Sequence, residues 1–168
     1  MLYVCSLSKL QETTEETGAK SLVTLISGGT PVERPASIAS DDHLFLAFND
    51  IVEPMEGLTP PAAEHVKALI DFGHNWKREA PMIVHCWAGI SRSTAGAYII
   101  GCARNPDLDE EALAQDLRAA SPSATPNARL VAFADEILGR DGRMVRAIRN
   151  IGRGANAYEG TPFLLDIT

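Results

Sequence analysis

Cys86 and Arg92 stand six positions apart in the stretch HCWAGISRS, with Gly89 midway, His85 just before the cysteine and Ser93 just after the arginine. A cysteine thiolate is a strong nucleophile. A guanidinium spans two phosphoryl oxygens in a bidentate fork that a lysine does not reproduce. The two belong together only if the stretch is a tight loop entering a helix. There, unpaired backbone N–H groups and a partial positive charge hold an anion, and the same dipoles favour a thiolate. Gly89 lets such a loop turn without a Cβ clash. The Ser93 hydroxyl can donate to a departing thiolate, and a His85 ring N–H can anchor the loop. Taken singly, each residue has a plainer reading, since a cysteine after a strand is usually core. Five fitting residues in one stretch carry the assignment.

The flanking elements supply that setting. Pro81 opens an apolar strand, Met82 to His85, and Ser93 to Ala103 is small and apolar enough for a buried helix. Upstream, Leu2 to Leu7 and Leu22 to Ile26 are apolar, β-branched strands around a polar helical segment, KLQETTEETG. The turn-rich SGGTPVERP leads to a third strand, His43 to Phe48, which runs into Asn49 and Asp50. A helix is expected from Thr59 as N-cap with Pro60 in its first turn, carrying Val66, Leu69, Ile70, Gly73 and Trp76 on one face. Further helices are expected at 109–119, 127–138 and 142–151, and the closing PFLLD reads as a packed tail. Strands alternating with helices predict an α/β fold, a central mainly parallel sheet of four to five strands flanked by helices, as one domain over 1–168. In such folds sites gather at the strand C-terminal ends.

Composition narrows the partners. The 168 residues carry 15 Lys and Arg against 22 Asp and Glu, a net charge of −7, which argues against nucleic-acid binding. No apolar run approaches the ~20 residues of a membrane span, and in MLYVCSLSKL the lysine follows the apolar run, unlike a secretory leader. A cytoplasmic chain is expected. Cys5, Cys86 and Cys102 show neither CxxC nor zinc-type spacing, so no disulfide scaffold, metal or other cofactor is implied, and Cys5 and Cys102 read as core thiols.

HCWAGISRS resembles the HCxxGxxR[S/T] phosphate-binding loop of the cysteine-based protein tyrosine phosphatases. RAASPSATPNARL, from Arg118 through Asn127 into a helix, is similar to the segment that follows this loop in the compact dual-specificity members. The resemblance spans roughly Leu44 to Leu138 and implies a phosphatase-like fold and metal-independent hydrolysis of a phosphate monoester through a phosphocysteine. It makes Cys86 the nucleophile, Arg92 the phosphate clamp, Ser93 the donor to the leaving thiolate and His85 the loop organiser. Trp87, Ala88, Gly89, Ile90 and Ser91 would then line the phosphate site, with Asn127 at the start of the supporting helix. The variable loop positions hold no lysine, which disfavours highly charged inositol headgroups and leaves phosphoprotein or a small aryl phosphate as substrate. Other thiol chemistry on a similar loop, as in a rhodanese-like sulfurtransferase or an arsenate reductase, gives Ser93 and Asp50 no task. A catalytically inactive phosphate-binding module would not require both Cys86 and Arg92.

The resemblance also implies an aspartic acid, some tens of residues before the cysteine, to protonate the leaving oxygen. Asp41 and Asp42 precede the HLFLAF strand and read as a solvated turn beside His43, whereas Asp50 follows it. If that strand runs parallel to MIVH, its end lies on the Cys86 edge of the sheet, which favours Asp50 over Asp42 and Glu53. Near the C-terminus Arg140, Arg143, Arg146, Arg149 and Arg153 recur at about helical spacing. Charge runs of this kind are commonly a solvated face. The other reading is a docking stripe for an acidic partner.

Overall fold

The computed structural model describes Met1–Thr168. Its sheet contains β1 (Leu2–Ser6), β2 (Ser21–Ile26), β3 (His43–Ala47), β4 (Met82–Cys86) and β5 (Phe163–Leu165). They lie in the order β3-β2-β4-β1-β5, parallel except for β5, which pairs antiparallel with β1. The helices are α1 (Leu10–Thr17), α2 (Ala63–Asn75), α3 (Arg92–Arg104), α4 (Glu110–Ala120), α5 (Ala128–Ile137) and α6 (Arg143–Ile151). The expected α/β architecture is the observed one, and the closing PFLLD packs on the sheet as its fifth strand.

Strand alternation divides the buried residues between two faces. Leu2, Val4, Val23, Leu25, Met82 and Val84 join the large core with residues of α2 through α6, while Cys5, Leu22 and Ile83 pack with Leu10 and Ile38 on the α1 side. Every residue of β4 is buried, as befits a central parallel strand covered on both faces. Helix α3, buried from Arg92 to Ala103, follows β4 directly. No helix is long and apolar enough to cross a membrane.

Two sequence expectations need correction. Helix α2 begins at Ala63, not at Thr59, because Pro61 pushes Pro60 away from helical backbone angles and delays the start until both prolines are passed. Thr59 is engaged elsewhere: its N–H donates to Asn49 Oδ1 at 2.8 Å, and its carbonyl accepts from the Asn49 N–H at 2.7 Å. The arginine series does not form one exposed stripe. Arg140 is 5% exposed, donating to Glu110 Oε1 at 2.7 Å and to the Cys102 carbonyl at 2.6 Å, and Arg143 reaches the same carboxylate at 3.1 Å. Arg143 ties α6 to α4, Arg140 ties the turn before α6 to α4 and α3, and of the series only Arg146, Arg149 and Arg153 remain as exposed cations free of a carboxylate.

Candidate active site

The turn from Trp87 to Ser91 joins the end of β4 to the first turn of α3. Its geometry follows from where its carbonyls go. The Cys86 carbonyl lies 3.2 Å from His85 Nδ1. The Trp87 carbonyl accepts from the Leu7 N–H at 3.1 Å, that of Ala88 from Gly160 at 2.8 Å, that of Ile90 from Thr125 at 2.9 Å and that of Ser91 from Asn127 at 3.2 Å. All five are bound outside the loop. In a trans peptide the following N–H points the opposite way, and the chain has no cis bond. The amides of Trp87, Ala88, Gly89, Ser91 and Arg92 are therefore turned towards the loop interior. The Gly89 N–H shows the result, donating to Cys86 Sγ at 3.3 Å. Gly89 has φ +71°, and a Cβ there would stand 2.9 Å from the Cys5 carbonyl carbon and the Ser6 nitrogen, so β1 passes too close for a side chain.

Ser93 Oγ lies 3.1 Å from Cys86 Sγ. Arg92 is nearly buried, and its Nη1 is fixed by donating to the Phe48 carbonyl at 2.9 Å and to Ser27 Oγ at 3.1 Å. Its Nε is buried with no protein acceptor. An orphaned buried donor carries a desolvation cost that an anion would relieve. The only other such atom is Nε of Arg104, at the far end of α3, whose Nη1 caps α2 through the carbonyls of Gly73, His74 and Trp76.

His85 is wholly buried, and burial, reinforced by the nearby charges of His43 and Arg92, pushes its pKa down to about 4 against the hydrogen bond to the Cys86 carbonyl. The ring is neutral at physiological pH. Because a carbonyl only accepts, Nδ1 carries the hydrogen and Nε2 accepts from the Thr24 hydroxyl at 2.7 Å. Thr24 Oγ1 in turn accepts from His43 Nε2 at 2.8 Å. A one-way chain thus runs across β3, β2 and β4 to the cysteine carbonyl.

Strand β3 is parallel to β2, and β2 to β4, so Asp50 emerges at the Cys86 edge of the sheet. Its Oδ1 accepts from Ser91 Oγ and from Asn127 Nδ2, both at 2.8 Å, and Oδ2 has no protein partner. Asn127 also caps α5 by accepting from the Leu130 N–H at 3.0 Å. Asp41 and Asp42 lie in the short turn that enters β3, at its opposite end, and Glu53 is exposed without a hydrogen bond. The structure thus brings Cys86, Arg92, Ser93, His85, Asp50 and Asn127 around one loop, with Trp87 exposed on its rim. Burial pushes the Cys5 and Cys102 thiols up to about 12, and Cys5 packs on the opposite sheet face.

Sequence reasoning missed Thr24, Ser27, His43 and Gly160. Thr24 had a signal, as the one polar residue inside the apolar run Leu22 to Ile26. Ser27 and Gly160 had none beyond turn composition.

The chain shares its fold with solved dual-specificity phosphatases. The chain aligns with DUSP15 at a TM-score of 0.65 and 20% identity, covering 89% of this chain and 90% of that one. Human DUSP28 aligns at 0.62 and 18% over 90% and 95% of the two chains, and Cydia pomonella PTP-2 phosphatase at 0.62 and 20% over 80% and 84%. No protein-family profile and no curated protein matches the sequence.

Proposed function

We propose that the chain hydrolyses phosphate monoesters through a phosphocysteine, acting without a metal on phosphotyrosine or on both classes of phosphorylated residue in proteins. The observation that carries this reading is the loop of inward amides around Cys86, closed by the unpartnered Nε of Arg92. A phosphoryl dianion fits that donor set, and the same donors meet the charge on its oxygens as transfer proceeds.

In the first step the Cys86 thiolate attacks phosphorus. An S–P bond forms as the P–O bond to the leaving group breaks, and the leaving oxygen takes a proton from Asp50. In the second step water attacks phosphorus and gives its proton to the Asp50 carboxylate. The S–P bond breaks, inorganic phosphate leaves, and the Ser93 hydroxyl steadies the returning thiolate. Ser91 and Asn127 hold Oδ1 of Asp50, leaving Oδ2 to carry the proton.

Purified protein is expected to release phosphate from an aryl phosphate in the presence of EDTA. Cys86→Ser should lower that rate on the order of 10⁴-fold or more, the scale of removing a nucleophile. Undiminished turnover by the variant, or thiocyanate formed from thiosulfate and cyanide in place of phosphate release, would overturn the proposal.

A further inference from the structure

The catalytic steps above leave a cleft of about 230 Å³ unused. It borders the loop on the Trp87 side and is walled by Leu7, Trp87, Ala88 and Tyr158, with Ser8 and Glu159 at its polar end. Trp87 is 54% exposed and Tyr158 87%, so both rings are open to an incoming side chain. At ~30 Å³ of liquid per water the space suits one large side chain.

Position and charge indicate the occupant. Trp87 directly follows Cys86, whereas Ser91, at the other end of the loop, binds Asp50. The cleft meets the loop at Trp87 and Ala88, the two residues after Cys86, so a chain held at Cys86, each of its residues spanning at most ~3.3–3.6 Å, can reach it with a neighbouring side chain. Glu159 Oε1 accepts from the Ser6 and Ser8 hydroxyls, which hold its carboxyl below the usual carboxylate range. Oε2 is free of protein partners. The nearby cation, Lys9, is bonded to Glu12 at 3.0 Å instead. Residues 87–91 add no positive charge, and Asp50, Glu53 and Glu56 are exposed on the opposite side. This surface suits a cationic polypeptide and repels a polyanion.

We infer that the cleft reads the substrate's sequence. It takes a large apolar side chain next to the phosphorylated residue between Trp87 and Tyr158, and a lysine or arginine beyond it on Glu159. The inference rests on the phosphoester reading of Cys86.

The test uses two phosphotyrosine peptides. One has Leu on both sides of the phosphotyrosine and Arg at the next position each way; the other has Gly and Glu in those places. The first is expected to show a kcat/KM higher by on the order of tenfold, the worth of one buried apolar side chain. Tyr158→Ala should remove most of the Leu preference. Glu159→Gln, which keeps an acceptor for Ser6 and Ser8, should cost about threefold on the Arg peptide, the scale of an exposed ion pair. Both variants should leave a small aryl phosphate unaffected. Equal kcat/KM for the two peptides, or losses on the small ester as large as those on the peptide, would overturn the inference. Calorimetric titration of Cys86→Ser with the same peptides separates the two ideas. Selective binding without hydrolysis by the unaltered protein removes the hydrolase reading and keeps the cleft. Hydrolysis of the small ester with indifferent peptide binding removes the cleft alone.

Discussion

The two sides of the site are held in different ways. The loop around Cys86 is fastened through its backbone by Leu7, Thr125, Asn127 and Gly160, four positions from three separate parts of the chain. The segment carrying Asp50, between β3 and α2, has no regular structure. It is closed by the paired bonds of Asn49 and Thr59 and tied to the loop through the side chains of Ser91 and Asn127. Val52, Met55 and Leu58 on it are exposed. Backbone fastening suits donors that, on the proposed mechanism, would meet every phosphate alike. Side-chain tethering on a segment with few buried contacts suits the acid that the proposed mechanism assigns to Asp50, which different leaving groups would approach.

Leaving groups provide the way to break this contrast. Asp50→Asn should lower turnover of an alkyl phosphate or phosphopeptide by about 10²–10⁴, the worth of a general acid. A nitrophenyl ester, which leaves without a proton, should lose much less, and the alkaline limb of the pH profile should flatten. A loss independent of the leaving group would mean that Asp50 holds the loop in shape instead of donating a proton. The loop side gives the opposite pattern. Arg92→Lys should cost about 10²–10³ in kcat, as loss of a transition-state donor does, and nearly equally for all esters, since the grip is on the phosphoryl oxygens. Steady-state kinetics over a series of phenols of graded pKa distinguishes the two slopes.

The smallest expected effect sharpens the comparison through stability. His85 titrates at about 4 in the fold, from an ordinary value of 6.5. As pH falls the unfolded chain therefore binds this proton first. Stability is complete above pH 6.5 and is lost on descending towards 4, by about 3 kcal/mol for this group. Urea unfolding at pH 7 and pH 4.5 should show that fall, and His85→Gln should remove most of it. His43, lowered by burial and then by Arg34, leaves a residual slope in the variant. An unchanged pH dependence in His85→Gln would mean that the buried ring is not the source.

Much of this was legible because the informative residues are close in sequence. A strand, a glycine-centred turn and a small-residue helix occupy positions 82 to 103, and their periodicities fix the loop's setting. The position of Asp50 at the Cys86 edge followed from strand direction, an argument that needs only a parallel sheet. The delayed start of α2 was legible too, in the adjacent Pro60 and Pro61, but Thr59 looks like a cap until its partner Asn49 is known. Arg140 shows a harder limit. Its spacing matches that of its exposed neighbours, and only the fold reveals Glu110 and the Cys102 carbonyl beneath it. The contacts of Gly160 with Ala88 and of Thr24 with both histidines cross long stretches of chain, and no local pattern encodes them.

The Gly160 contact has a consequence for biosynthesis. Its N–H holds the Ala88 carbonyl, and a Cβ on it would stand 2.8 Å from the Gly89 oxygen. The ribosome completes the loop around Cys86 at Ser93 but supplies this buttress only when it reaches residue 160. At about 5–20 residues per second the interval is roughly 3 to 13 s. During that time a nascent chain carries Cys86 in a loop without its Gly160 contact, and for the first part of it without those of Thr125 and Asn127 as well.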